Sequence, residues 1–199
     1  MGEKRRMTNT SIYQDIAART GGDIYIGVVG PVRTGKSTFI KRFMETLVLP
    51  LAGEKERAVM TDELPQSAAG RTIMTTEPKF IPEQAAQIAL DGVTNMRVRL
   101  IDCVGYMVEG ALGGSEDGEV RMVMTPWSEE AMPFADAAEL GTSKVIGEHA
   151  TIAMLVTTDG SIADISRESY VPAEERVVKE LRECGKPFAI ILNSANPDG

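Results

Sequence analysis

The sequence is short of the residues that several common modes of action require. Its 199 residues include two cysteines and one histidine. Cys103 and Cys184 are far apart, neither belongs to a CxxC pair, and His149 stands alone, which argues against a zinc site or a disulfide framework and fits a reducing cytosol. Positive charge is scarce as well: 21 Lys and Arg against 29 Asp and Glu leave a formal charge of -8. Without a basic face a chain does not neutralise phosphates along a strand, so general nucleic-acid binding is set aside. No apolar run approaches the roughly 20 residues of a membrane span. The start, "MGEKRRMTNTS", lacks the apolar core of a secretory signal and carries Arg6 where a myristoylation site wants Ser or Thr. A cytoplasmic protein is expected. Aromatic residues make up only 5%, yet 43% hydrophobic content suffices for one domain with a sizeable core.

What is present reads as strands alternating with helices. "SIYQDIAARTGG" has a possible capping box in Ser11 and Gln14 and a stop at Gly21, so a short helix is expected in an amino-terminal flank, 1–22. The main domain, 23–199, opens on "IYIGVVG", apolar on both faces as a buried parallel strand is. Phe39, Ile40, Phe43, Met44, Leu47 and Val48 then repeat at helical spacing until Pro50. Gly53 to Thr76 is polar and rich in small residues, and reads as a mobile loop. A hairpin of "EPKFI" and "AQIAL" with "MRVRLID" follows. "GYMVEGALGGSEDGEV" reads as a second mobile loop. The remainder reads as a helix "FADAAELGTSKVIGEHA", a strand "TIAMLVTT", a helix opened by Pro172 and closed by Gly185, and a last strand "FAIILN". This order predicts an α/β fold, doubly wound on a mostly parallel sheet.

The chemistry concentrates between the first strand and the first helix. Gly30, Pro31, Val32, Arg33, Thr34, Gly35, Lys36, Ser37 and Thr38 carry the pattern G-x-x-x-x-G-K-[ST]. Glycines let the backbone wrap close so that N–H groups point inward; Lys36 reaches the β and γ phosphates, and the Ser37 hydroxyl binds Mg²⁺. The helix start adds partial positive charge. Asp102 ends "VRLID" and opens "DCVG", a D-x-x-G arrangement that sets a carboxylate near Mg²⁺ and the Gly105 N–H near the γ phosphate. Between them, "TIMTTEP" offers Thr75 or Thr76 as a hydroxyl that completes the Mg²⁺ shell and senses the terminal phosphate.

Rate and base choice are read from departures. Tyr106 stands where signalling GTPases place the glutamine that orients water, so unassisted hydrolysis is expected to be slow. Arg33 is open between a catalytic arginine, a phosphate-facing lid and a solvated charge. Where GTPases carry N-K-x-D, this chain has "NSAN": Asn193 is kept, Ser194 replaces the lysine and Asn196 the aspartate. An amide does not accept two guanine donors, and each unpaired buried group costs about 1–3 kcal/mol, so guanine discrimination is expected to be lost. Asn196 suits adenine, tolerates xanthine, or belongs to a turn ended by Pro197.

These stretches, with "DELPQSAAGRTIMTTEPKFIP", "LIDCVGY", "TPW", "GTSKVI", "TTDGSI" and "KPFAIILNS", resemble the amino-terminal domain of the stage IV sporulation protein A family, over nearly the whole chain from Ile12. The resemblance implies a P-loop NTPase of GTPase-like (TRAFAC) topology that hydrolyses Mg²⁺·ATP to drive its own assembly into a homopolymer, the basement layer of the spore coat. It implies Lys36, Ser37 and Asp102 as site residues, with Thr75 and Thr76 as sensors. It also implies a mother-cell cytoplasmic location, peripheral at the outer forespore membrane. Its implied partners are a small amphipathic membrane-bound anchor protein and other coat proteins, met mostly through regions downstream of this one. A last strand and helix of the sheet and the family's downstream domains are expected beyond residue 199. A GTPase-like switch that regulates a partner without polymerising is the competing expectation, and a phosphotransferase would need an acceptor site that the sequence does not display.

Overall fold

The computed structural model describes residues 21–65, 76–90, 94–116 and 118–198. The helix expected near Ser11, most of the 1–22 flank and Thr75 lie outside these residues.

A five-stranded sheet organises the chain. Its strands are β1 (Asp23–Val29), β2 (Lys79–Leu90), β3 (Thr94–Asp102), β8 (Ile152–Thr158) and β9 (Phe188–Asn193), in the order β2-β3-β1-β8-β9. All neighbours are parallel except the β2–β3 hairpin. The ladder of that hairpin is interrupted between Ile81 and Ala86, next to Pro82, which has no N–H to donate. The α/β fold with a mostly parallel sheet is as the alternation of elements predicts.

Both faces of the sheet are covered. Helix α1 (Lys36–Phe43) runs on through a π-helical turn at Met44–Val48 and a 3-10 turn at Leu49–Leu51 that contains Pro50. Ile40, Met44 and Val48 pack with Ile24, Ile26 and Val28 of β1 and Leu100 of β3. Leu47, expected in this stripe, is exposed instead, because the π-helical turn shifts the register of the apolar face. On the other face lie helix α3 (Phe134–Lys144), continued by a π-helical turn to His149, and helix α4 (Arg167–Glu183). Val145, Ile146, Tyr170, Val177 and Leu181 pack there with Val29 and Leu155. Gly27 of β1 is required by this layer, since a Cβ there would lie 2.8 Å from that of Ala150.

Three expectations are corrected. Within 53–76, residues Glu54–Asp62 form helix α2, with the Glu56 carboxylate accepting from the Gly53 N–H, so the segment is not loop throughout. Helix α4 starts at Arg167 and carries Pro172 inside it; Ser166 is its extended first cap, and the hydrophobic face extends back to Tyr170. The glycine-rich stretch 105–120 contains the short paired strands β4 (Ser115–Glu116) and β5 (Glu119–Val120), and beyond it β6 (Met122–Thr125) pairs with β7 (Ser128–Pro133).

Candidate functional site

The carboxyl ends of β1, β3, β8 and β9 converge on the loop from Gly30 to Gly35. Three of its residues take left-handed backbone: Gly30, Arg33 (φ 60°) and Gly35 (φ 91°). At Gly30 and Gly35 a side chain would strike the Val156 carbonyl and the Asn193 amide, so only glycine fits. No side chain caps α1, which leaves the N–H groups of its first turn to the loop interior.

Lys36 is buried and its Nζ donates to the Pro31 carbonyl at 2.6 Å, which holds the ammonium inside the loop. Ser37 Oγ donates to Asp102 Oδ2 at 2.7 Å, joining the helix start to the end of β3. The other oxygen, Asp102 Oδ1, is buried with no partner. Burial pushes the Lys36 ammonium below its ordinary pKa, with Cys103 and Asp102 pulling it back. Burial likewise raises the Asp102 carboxyl, against the Ser37 hydrogen bond and the Lys36 charge. Lys36 is withdrawn from water, whereas Asp102 is half-buried with its Oδ1 enclosed.

The segment after Asp102 is tied to the loop. Tyr106 N–H donates to the Gly30 carbonyl (3.3 Å), and Val32 N–H donates to the Tyr106 carbonyl (2.9 Å). Gly105 sits so close that a Cβ on it would lie 2.6 Å from Lys36 Nζ. Its own N–H donates to Thr142 Oγ1 of α3, at 3.2 Å. The Tyr106 ring is 1% exposed. Its hydroxyl donates to Glu180 Oε2 of α4 (2.6 Å), to which Ser143 of α3 also donates (3.0 Å), and the Arg176 guanidinium lies 4.3 Å from the ring centre. Burial first, then Glu180, raises the phenol above its ordinary pKa.

The other expected residues are placed as follows. Asn193 Nδ2 donates to the Thr34 carbonyl at 3.1 Å, tying β9 to the loop, while Thr34 Oγ1 donates to the Pro31 carbonyl. Asn196 is exposed, its N–H donating to Ser194 Oγ. Arg33 of the loop and Thr38 of α1 are exposed, and Pro31 and Val32 of the loop are buried. Thr76 is buried, and its carbonyl and the Trp127 ring both lie against Gly141 of α3. Sequence reasoning missed Thr142, Ser143 and Glu180. Their signal was a pair of adjacent hydroxyls on α3, of which Thr142 continues the apolar series Phe134, Ala137, Ala138, Gly141, Val145.

The donor set suits a magnesium nucleotide: an uncapped helix start and buried ammonium for phosphate oxygens, and a serine hydroxyl beside a carboxylate with an orphaned oxygen for the cation. Among the described residues no group of three or more His, Cys, Asp or Glu could hold a metal by itself, so a cation here would take the remaining ligands from the phosphates and water. A mostly parallel α/β sheet, with a glycine–lysine loop at its carboxyl edge and an acid closing the adjacent strand, defines a domain of the nucleotide-binding class.

The chain belongs to the stage IV sporulation protein A family, whose description "Stage IV sporulation protein A, ATPase domain" matches residues 7–199. It is 58% identical over 192 residues to stage IV sporulation protein A of Bacillus subtilis (strain 168), 59% over 192 residues to that of Bacillus anthracis and 57% over 190 residues to that of Clostridioides difficile (strain 630). These matches take in 95–96% of this chain and 39% of each relative, so the chain spans about two fifths of their length. Among solved structures, an SsGBP variant is similar over the whole chain and 49% of its own, at 16% identity and a TM-score of 0.42, a likeness too slight to bear on function. Membership of this family implies sporulation-related ATP binding.

Proposed function

We propose that this domain binds Mg²⁺·ATP in the loop Gly30–Thr38 and hydrolyses it slowly, and that in the longer proteins of the family this turnover drives self-assembly of a spore coat basement layer. The observation that carries the reading is the buried Lys36 ammonium, held in a glycine-framed loop 2.6 Å from the Pro31 carbonyl beside the Ser37–Asp102 pair. The strand order, with β2 alone antiparallel, supports a P-loop NTPase of GTPase-like (TRAFAC) topology.

Lys36 and the first N–H groups of α1 bind the β and γ phosphates, and the loop glycines bring the backbone close enough to do so. Ser37 and Asp102 hold the magnesium side, with Thr75 and Thr76 as the hydroxyls closing it when the γ phosphate is present. Bound magnesium supplies neutralisation of the charge that develops on the phosphates. Slow turnover follows from Tyr106, whose hydroxyl is committed to Glu180 and which has no amide to orient water. Asn193 braces the loop from β9. Asn196 contacts adenine. Assembly places the protein in the mother-cell cytoplasm at the outer forespore membrane, with a second copy, an amphipathic membrane-bound anchor and other coat proteins as partners.

Calorimetric titration with ATP and with GTP in Mg²⁺ tests the reading. ATP binding, with turnover per molecule that rises with protein concentration, is the expected result; tight GTP retention without ATP binding overturns it in favour of a switch. Lys36→Ala is expected to weaken ATP binding by at least about a hundredfold, roughly 2.7 kcal/mol. Normal ATP binding by that variant would displace the site from this loop.

A further inference from the structure

The Gly105 N–H has an acceptor already, and that acceptor is not a nucleotide. It points to Thr142 Oγ1 of α3 at 3.2 Å, in the buried interior. The Thr142 hydroxyl proton is spent on the Ala138 carbonyl at 2.8 Å, so toward Gly105 the oxygen can only accept. Gly105 also lies at the head of Lys36, where a Cβ would be 2.6 Å from Nζ. An anion held by Lys36 would therefore be a second acceptor within the reach of the same peptide.

The geometry leaves one place where the peptide can turn. On one side Asp102 pairs with Val28 in the sheet and accepts from Ser37. On the other, Tyr106 is fixed through its N–H, its carbonyl and its hydroxyl. Between these anchors stand Cys103, Val104 and Gly105; the buried Cys103 thiol donates to the Val28 carbonyl at 3.5 Å, and Gly105, at φ 94°, is a residue to which either sign of φ is open.

Resting on the nucleotide reading above, we propose that Thr142 sets the preference of this site for triphosphate over diphosphate. It competes for the Gly105 N–H: with diphosphate the N–H stays on Thr142 Oγ1, and with triphosphate the Val104–Gly105 peptide turns and gives it to the terminal phosphate. Thr142 is thus a positioning residue that acts through Gly105 and touches no nucleotide itself. A valine of the same shape at 142 takes the competitor away. In the diphosphate state the N–H then has only the softer Cys103 sulfur beside it, and in the triphosphate state a phosphate oxygen, so the balance moves toward the triphosphate.

The test compares the dissociation constants of ADP and of the β,γ-imido analogue of ATP, both with Mg²⁺, in the unaltered protein, Thr142→Val and Thr142→Ser. The ratio is expected to move toward the triphosphate analogue by about tenfold in Thr142→Val, equivalent to roughly 1.4 kcal/mol, and to stay put in Thr142→Ser. A merely structural role would weaken both nucleotides together and leave the ratio alone. An unchanged ratio in Thr142→Val, with both nucleotides bound, overturns the proposal; no binding of either nucleotide by the unaltered protein overturns the nucleotide reading itself. Should Thr142→Val fail to fold, the Gly105 amide resonance of the unaltered protein decides. A shift with the triphosphate analogue and not with ADP supports the competition, and equal shifts with both refute it.

Discussion

At the scale of single residues the site is held in a state that its own charges disfavour. Asp102 is raised above the ordinary carboxylate value by burial even with Ser37 and Lys36 beside it, so its charge costs more in the folded chain than in the unfolded one. The cost of its charge is absent below the ordinary value near 4, grows as pH rises through it, and is complete above the folded pKa. For Lys36, lowered by burial, the cost of the charge is complete below the folded pKa and is relieved as pH rises through it toward the ordinary lysine value. Asp102→Asn is therefore expected to melt at a higher temperature than the unaltered protein at pH 8, with the gap narrowing toward pH 4. The same change removes the oxygen pair offered to a cation, so ATP binding should weaken by about tenfold with Mg²⁺, roughly 1.4 kcal/mol, and hardly change in EDTA. Differential scanning fluorimetry across pH and titration with and without the chelator measure the two effects. A variant that is less stable at pH 8 would contradict the stored cost.

At the scale of elements, Tyr106 is the pin between the loop and two helices. Tyr106→Phe keeps the ring, and with it the Arg176 contact at 4.3 Å, and deletes only the hydroxyl on Glu180. Loss of about 1–2 kcal/mol is expected, a fall in melting temperature of roughly 2–8 °C for a chain of this size. A cycle with Glu180→Gln should show a coupling of at least about 0.5 kcal/mol; additivity would mean that the hydroxyl is not held as described. This pin also marks the limit of what could be read from the chain. Strands β1, β3, β8 and β9 were legible because each is a short apolar run bounded by turn residues, and the Gly30–Thr38 loop because its spacing and its position between strand and helix agree. Helix α2 was hidden because its weak apolar pattern buries only Met60. The start of α4 was misread because Pro172 usually begins a helix, whereas here the residues from Arg167 onward are held by the burial of Tyr170 and the Arg167–Glu174 ion pair. The partnership of Tyr106 with Ser143 and Glu180 spans 37 and 74 residues of chain, a distance over which no local pattern speaks.

At the scale of the whole molecule, the sheet is guarded unevenly. At one side β2 carries Pro82 and a broken ladder, both of which blunt an edge. At the other, β9 pairs only with β8 among the described residues and leaves Ile190 and Leu192 exposed at 57% and 59%. Unpaired backbone groups beside exposed apolar side chains form a template for nonspecific strand pairing, and a net charge of -8 opposes such contact only while salt is low. The domain is therefore expected to lose monomer on concentration faster at 0.5 M than at 0.05 M salt, with or without nucleotide. Ile190→Lys combined with Leu192→Glu leaves the net charge unchanged, so it isolates the apolar edge from the overall repulsion. Light scattering should show the loss of monomer at high salt at least halved in the double variant, while Asn193, the brace to Thr34, still supports ATP binding. Equal losses in both proteins would place the sticky surface elsewhere. A loss that appears only with ATP would instead point to the assembly proposed for this family.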